Sequence, residues 1–297
     1  MRDRHLVCDG AMGTELMLAG LGQGGCGEAW NLIHPERVLA IQRRYVEAGA
    51  DCLITNTFGA SRIVLLRRGH DAELSEINRS GVRIAREAFD GLPGFVLGDI
   101  GPLGAILEPY GELPVTEAQS ALEEQAAALV GAGVDAIIIE TQTALEELGI
   151  AIDAAREAGA PCVIASLAYD LMQDRKSYRT MMGVSPEQAA EFADERGAHI
   201  VALNCGTGMD MAGAARVARI YRRHTTLPIM VQPNAGVPVL ENLRAVYNQS
   251  PSDMAGGVPE VLEAGVRIVG SCCGSTPEHT RLIRLMVDQF RSAAPSA

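Results

Sequence analysis

Residues 132–141 read Ala132-Gly133-Val134-Asp135-Ala136-Ile137-Ile138-Ile139-Glu140-Thr141. An amphipathic stretch, Ala144–Ala158, follows, and then Gly159-Ala160-Pro161-Cys162-Val163-Ile164-Ala165. Ala136–Ile139 is apolar at every position, whereas a strand with one wet face would alternate. The run therefore predicts a strand buried on both faces, as in a parallel sheet. Ala158-Gly159 fits a helix ending on a left-handed glycine that feeds a short loop. Strand, helix and a second strand of the same kind make a parallel βαβ unit.

The same unit recurs outward in both directions. Apolar runs at Leu6–Cys8, Cys52–Thr55, Phe95–Leu97, Ile200–Leu203, Ile229–Val231 and Arg267–Val269 are each bounded by Gly, Pro or Asp. Helical patterns lie between them at Glu36–Ala48, Ala72–Phe89, Glu117–Gly131, Pro186–Arg196, Met211–His224 and Thr280–Arg291. Ala48-Gly49, Ala132-Gly133 and Ala264-Gly265 repeat the stop signal. Ser185-Pro186 and Ser275-Thr276-Pro277-Glu278 are start signals. Eight such units in 297 residues predict an α/β protein of one domain, residues 1–297, folded as a single (β/α)8 TIM barrel. A doubly wound open sheet would place a GxGxxG loop after the first strand. Gly10, Gly13 and the glycines of 20–27 do not spell it. The tail Ser292–Ala297 is expected to fray.

Composition narrows the function. Lys and Arg number 25 against 37 Asp and Glu, a net charge of −12, which disfavours nucleic acid as a partner. The opening MRDRHLVCDGAMGTEL has no apolar run suited to export, and no stretch reaches the ~20 apolar residues that cross a bilayer. A cytoplasmic location without a membrane partner is expected. Seven cysteines, an odd number, then point to reduced thiols or a metal rather than a disulfide frame.

In such a barrel the active site lies at the C-terminal strand ends, and the unusual residues gather there. Strand one is followed by Asp9-Gly10-Ala11-Met12-Gly13-Thr14 and strand two by Asn56-Thr57-Phe58. Strand four ends in Glu140-Thr141, strand six in Asn204-Cys205-Gly206 and strand seven in Pro233-Asn234-Ala235-Gly236. Strand eight gives Gly270-Ser271-Cys272-Cys273-Gly274. Cys205, Cys272 and Cys273 would supply three thiolates with an open fourth position, the pattern of a catalytic zinc site. Neighbouring residues of a straight strand face opposite ways, so Cys272 and Cys273 share a metal only if the chain bends, and Gly270 and Gly274 favour a bend. Three buried small hydrophobes, or a vicinal disulfide, are the competing readings. Cys8, Cys52 and Cys162 read as core; Cys26 is undecided. The loops Gly101–Pro114 and Leu240–Pro251 are candidates for a lid or docking rim.

DGAMGTEL, the span from Asn31 through ITNTF, LNCG, PNAG and VGSCCGSTPEH together resemble the homocysteine S-methyltransferase family, and within it the homocysteine-binding barrel of cobalamin-dependent methionine synthase. The resemblance covers essentially the whole chain in order. It implies zinc on Cys205, Cys272 and Cys273, with the homocysteine sulfur completing the tetrahedron and Asn234 taking that place when substrate is absent. It implies that Asp9 and Glu140 hold the substrate ammonium. Backbone N–H groups of Gly10, Ala11, Met12 and Gly13 would receive its carboxylate. Asn56 and Thr57 are expected at the substrate as well.

Methionine synthase carries folate, cobalamin and reactivation modules after this barrel, and this sequence contains none of them. The expected methyl donor is therefore methylcobalamin or another methylcorrinoid on a separate corrinoid protein. A self-sufficient enzyme using a small sulfonium such as S-methylmethionine is the alternative. A non-catalytic zinc-binding partner subunit is the reading from another class. An open apolar rim would favour protein docking, and acidic patches beside the cavity a cationic donor.

Overall fold

The structure, a computed structural model, describes residues 4–241 and 244–293. Eight strands lie in one parallel sheet: β1 Leu6–Val7, β2 Cys52–Ile54, β3 Phe95–Ile100, β4 Ala136–Gln142, β5 Val163–Ala168, β6 Ile200–Asn204, β7 Ile229–Gln232 and β8 Val266–Val269. Their spatial order is β1-β8-β7-β6-β5-β4-β3-β2. A parallel bridge between Cys8 and Cys52 joins the two ends, through Asp51 N to Val7 O at 2.7 Å and Asp9 N to Cys52 O at 3.1 Å. The result is the expected (β/α)8 barrel.

Each strand is apolar on both faces because both are covered. One set of alternate residues fills the barrel interior: Leu6, Cys8, Cys52, Leu97, Ala136, Ile138, Ile164, Ile200, Ala202, Met230 and Ile268. The other set, with Val96, Ile137, Ile139, Val163, Val201 and Val231 among it, packs under the helices. Cys8 and Cys52 are therefore core residues, and Cys162 packs against the interior set.

The long helices fall where periodicity placed them: Pro35–Glu47, Leu74–Ala88, Val115–Gly131, Leu145–Glu157, Pro186–Glu195, Met211–His224 and Pro277–Ala293. Ser185 and Gln188 form a reciprocal capping box on the fifth of these. The last helix runs to Ala293, and the Ser292 hydroxyl donates to Asp288 O at 3.0 Å, so the chain stays helical for two residues of the expected fraying tail; residues 294–297 lie outside the described residues.

Short elements went unread, because four to seven residues do not establish a period. They include the helices Met12–Leu18, Trp30–Ile33 and Arg62–Leu66, and Pro251–Gly256 with Val258–Glu263 before β8. Two antiparallel hairpins also belong here: Asp170–Leu171 with Tyr178–Arg179, and Pro238–Glu241 with Arg244–Tyr247. The second begins two residues before the expected loop Leu240–Pro251 and occupies its first part; residues 242 and 243 lie outside the described residues. Among the described residues, no helix is long and apolar enough to cross a membrane.

Candidate active site and metal centre

Strand parity builds the site. The position two beyond an inward apolar residue also faces the barrel axis, one layer nearer the mouth. Asp99 follows Leu97 in this way, Glu140 follows Ile138, Ser166 follows Ile164 and Asn204 follows Ala202. A polar layer therefore sits on the apolar interior at the C-terminal end of the sheet.

Three cysteines meet at the edge of this layer. Cys205 Sγ lies 2.9 Å from Cys272 Sγ and 3.6 Å from Cys273 Sγ, and Cys272 and Cys273 are 3.9 Å apart. All three are half-buried and reduced. Backbone geometry makes the meeting feasible. Cys205 adopts the left-handed region at φ +49°, and Gly274 turns the chain at φ +80°. Gly270 serves by close approach rather than by a bend, since a side chain there would begin 2.9 Å from Cys8 Cβ. Cys272 N donates to Pro233 O at 2.8 Å and Ala235 N to Cys273 O at 3.0 Å, which ties the cysteine pair to the turn after β7.

The thiols act on one another. Cys205, and after it Cys272, donate toward Cys273 and bring its pKa down to about 3. Cys272 is pushed well above the usual thiol value by its contacts with Cys205 and Cys273 and by burial. A divalent cation bound there would displace the thiol protons. A tetrahedral ion bound at about 2.3 Å sets sulfurs about 3.8 Å apart. The 3.6 and 3.9 Å pairs already match that spacing. The Oδ1 atom of Asn234 is buried without a hydrogen-bond partner, while its Nδ2 donates to Gly206 O at 3.2 Å beside Cys205. The donor set fits a metal ion.

Carboxyl groups occupy the other side. Asp9 is buried; its Oδ2 accepts from Ile54 N at 2.8 Å and its Oδ1 from the Cys8 thiol at 3.3 Å. Burial, with the charge of Glu140 adding to it, raises the Asp9 pKa to about 8. Glu140 rises to about 7 through burial and the charge of Cys273, and its Oε1 accepts from Asn204 Nδ2 at 3.3 Å. Asp99 is buried with Oδ1 unpartnered, and burial followed by the charges of Glu140 and Asp9 holds its pKa far above the carboxylate range. No Lys or Arg among the described residues pairs with any of the three. Such a group of acids favours a cationic ligand.

The remaining expected residues divide. Met12 and Gly13 open the helix Met12–Leu18, where first-turn N–H groups have no intrahelical partner, and the position above Gly13 is open. Ala11 N, by contrast, is taken by Ser275 Oγ at 3.1 Å. Gly10 is glycine because a side chain there would begin 2.6 Å from that same hydroxyl oxygen. Asn56 and Thr57 turn into the protein: Asn56 Nδ2 donates to Gly27 O and Asn31 Oδ1, and Thr57 Oγ1 to Asp99 O. They brace the loops around the site. Cys26 stands apart from the trio, its thiol on Glu28 at 3.4 Å.

Asp99 is the residue that sequence reasoning missed, and Asn204, read at the end of strand six, has a bracing role that its position there did not reveal. Asn204 is fully buried and joins three strands: its Nδ2 donates to Thr141 Oγ1 at 2.7 Å, and its Oδ1 accepts from Ser166 Oγ at 2.8 Å and Thr141 N at 3.1 Å. Inward parity carried through to the strand ends would have found both.

Fold and site together define a (β/α)8 barrel with a three-thiol centre and a buried acidic pocket at the C-terminal mouth. The chain belongs to the homocysteine S-methyltransferase family, whose model matches residues 6–287. It is 32% identical to the methionine synthase of Mycobacterium tuberculosis over 303 residues, covering 98% of this chain and 25% of that protein. It is likewise 32% identical to the Mycobacterium leprae enzyme over 299 residues, covering 97% and 24%. The chain thus spans about a quarter of the length of these curated relatives. The metallated homocysteine methyltransferase MmuM of Escherichia coli superposes with a TM-score of 0.77 at 22% identity, covering 95% of this chain and 96% of that one. At that identity it attests the barrel alone.

Proposed function

We propose that this barrel binds homocysteine, activates its thiol with the help of a zinc ion that Cys205, Cys272 and Cys273 would hold, and methylates it to methionine. One observation carries the reading: three thiols and three carboxyl groups, the latter without a cationic partner among the described residues, face each other in one barrel mouth. Cys205, Cys272 and Cys273 are the zinc ligands. Zinc bound there would keep a substrate thiol deprotonated at neutral pH.

The protein groups do the positioning. Asp9 and Glu140, joined by Asp99, take the substrate ammonium, which restores their ionised state by charge-assisted hydrogen bonding. The Met12 and Gly13 N–H groups receive the substrate carboxylate, while Gly10 and Ala11 shape the turn that aims them. Asn204 orients Glu140, and the unpartnered Asn234 oxygen is the internal group nearest in chemistry to a fourth ligand. The thiol proton passes to solvent, and the sulfur lone pair forms the new S–CH3 bond as the donor–methyl bond breaks and its electron pair stays with the donor.

The donor we propose is a methylcorrinoid carried on a protein that docks at the mouth. Phe58, Ile106, Tyr110, Met172, Met181 and Met182 are all exposed on the loops after β2, β3 and β5, and an apolar rim of this kind suits a protein face. A small sulfonium donor is the second reading, in which Asp99 would face the positive charge of the donor while Asp9 and Glu140 hold the ammonium. Methionine formation from free methylcobalamin, methylated corrinoid protein, S-methylmethionine and betaine at equal concentration decides between them, with Cys273→Ala as the blank. The corrinoid protein should be the fastest donor, because docking supplies orientation that the free cofactor lacks. Rapid turnover with S-methylmethionine and none with methylcobalamin would replace the first reading by the second.

A further inference from the structure

The turn that presents Cys205 is an unfavourable one. Cys205, Gly206 and Gly208 all have positive φ, at +49°, +96° and +71°, and a non-glycine residue visits that region only under constraint. The constraint comes from the segment after β5. Gly206 lies so close to it that an added Cβ would begin 1.8 Å from Tyr169 O, and one on Gly208 would begin 2.9 Å from Leu171 Cβ. Leu171 N donates to Thr207 O at 2.8 Å. In return Thr207 N donates to Asp170 Oδ1 at 2.7 Å.

That platform is anchored on both sides. Tyr169 is fully buried, with its hydroxyl 2.8 Å from the Tyr221 hydroxyl, and Tyr221 donates to Ala202 O on β6 at 3.1 Å. After the hairpin, Thr180 Oγ1 donates to Thr143 O at 2.6 Å. Asp170 makes no ion pair among the described residues, so the Thr207 N–H is the contact its carboxylate serves.

We propose that Asp170 is a positioning residue for the metal centre: by accepting the Thr207 N–H it holds residues 205–208 in the conformation that aims the Cys205 sulfur at Cys272 and Cys273. This rests on the zinc reading above. Asp170 touches neither substrate nor metal, and it acts through the backbone of the Cys205 turn.

The test compares Asp170→Ala with Asp170→Asn in the full chain, because Asn keeps an acceptor oxygen while Ala removes it. Zinc release to a chromophoric chelator should be about tenfold faster in Asp170→Ala, the loss of the acceptor for the Thr207 N–H. It should stay within about twofold of the parent in Asp170→Asn if the acceptor geometry is what counts. Wild-type release from Asp170→Ala, or equal leakage from both variants, overturns the proposal. A metal-free readout separates it from the zinc reading. Diamide, a two-electron oxidant, should join Cys205 and Cys272 as a disulfide, mapped by mass spectrometry, more slowly in Asp170→Ala than in the parent or in Asp170→Asn. If the parent chain retains no zinc, the zinc reading falls and this oxidation rate alone decides the role of Asp170, unchanged rates refuting it.

Discussion

Cys205 Sγ and Cys272 Sγ lie 2.9 Å apart although 67 residues separate them, and their strands, β6 and β8, are not neighbours in the sheet. Strand β7 stands between them. They meet because both chains leave the barrel end and fold over the turn after β7, where Cys272 N is bonded to Pro233 O and Asn234 Nδ2 to Gly206 O. The centre is thus a property of three strand ends.

A three-ligand centre has no spare. Cys205→Ala, Cys272→Ala and Cys273→Ala should each abolish zinc retention, read by elemental analysis after gel filtration. Full occupancy in any one variant would remove that cysteine from the centre.

The carboxyl groups should govern substrate affinity and leave the metal alone. Asp9→Asn, Asp99→Asn and Glu140→Gln should each raise the KM for homocysteine by one to two decades, the loss of about 1.5–3 kcal/mol expected for a charge-assisted contact. Zinc content should not change. Zinc lost together with affinity would make the residue a support of the metal.

The same acids make the metal-free protein sensitive to pH. Asp9 titrates at about 8 and Glu140 at about 7 in the fold, against 3.8 and 4.5 ordinarily. From pH about 4 to about 8 these two groups bind more protons in the folded state than in the unfolded chain, so their contribution to stability falls as pH rises through that window. The melting temperature of the metal-free protein should decline from pH 5 to 8, and less steeply in Asp9→Asn. Binding of methionine, which brings an ammonium, should strengthen over the same interval as the acids become charged. Methionine affinity that is flat or falling with pH would exclude the ammonium role.

At the rim, Tyr110→Asp and Met181→Asp place a charge on exposed apolar residues of the proposed docking face. Each should slow methyl transfer from a corrinoid protein about fivefold or more, the scale of losing an apolar anchor at an interface. Transfer from free methylcobalamin should stay within about twofold by the same reasoning. Equal loss with both donors would mean that these residues serve the pocket.

The barrel was legible because each strand is buried on two faces. Runs such as Ala136–Ile139 and Ile200–Leu203 are apolar at every position, and helices between them end on Ala-Gly. Hairpins such as Asp170–Leu171 with Tyr178–Arg179 left no such trace, since pairs of two residues have no period. Asp99 was lost for a related reason. The apolar run of strand three ends at Leu97, which leaves Asp99 outside it, although Glu140 two residues after Ile138 shows the same inward spacing.

The order of strands, the family motifs and the identity of the three cysteines are local properties, written in side-chain polarity and spacing, and the sequence by itself determined them. It could not say that Asn56 and Thr57 turn inward to brace loops, that Ala11 N is claimed by Ser275 from the far end of the chain, or that Asn234 Oδ1 is left without a partner. Those outcomes depend on which hydrogen-bond donors and acceptors meet once the barrel closes. Pairing of that kind is non-local, so only the tertiary structure decides it.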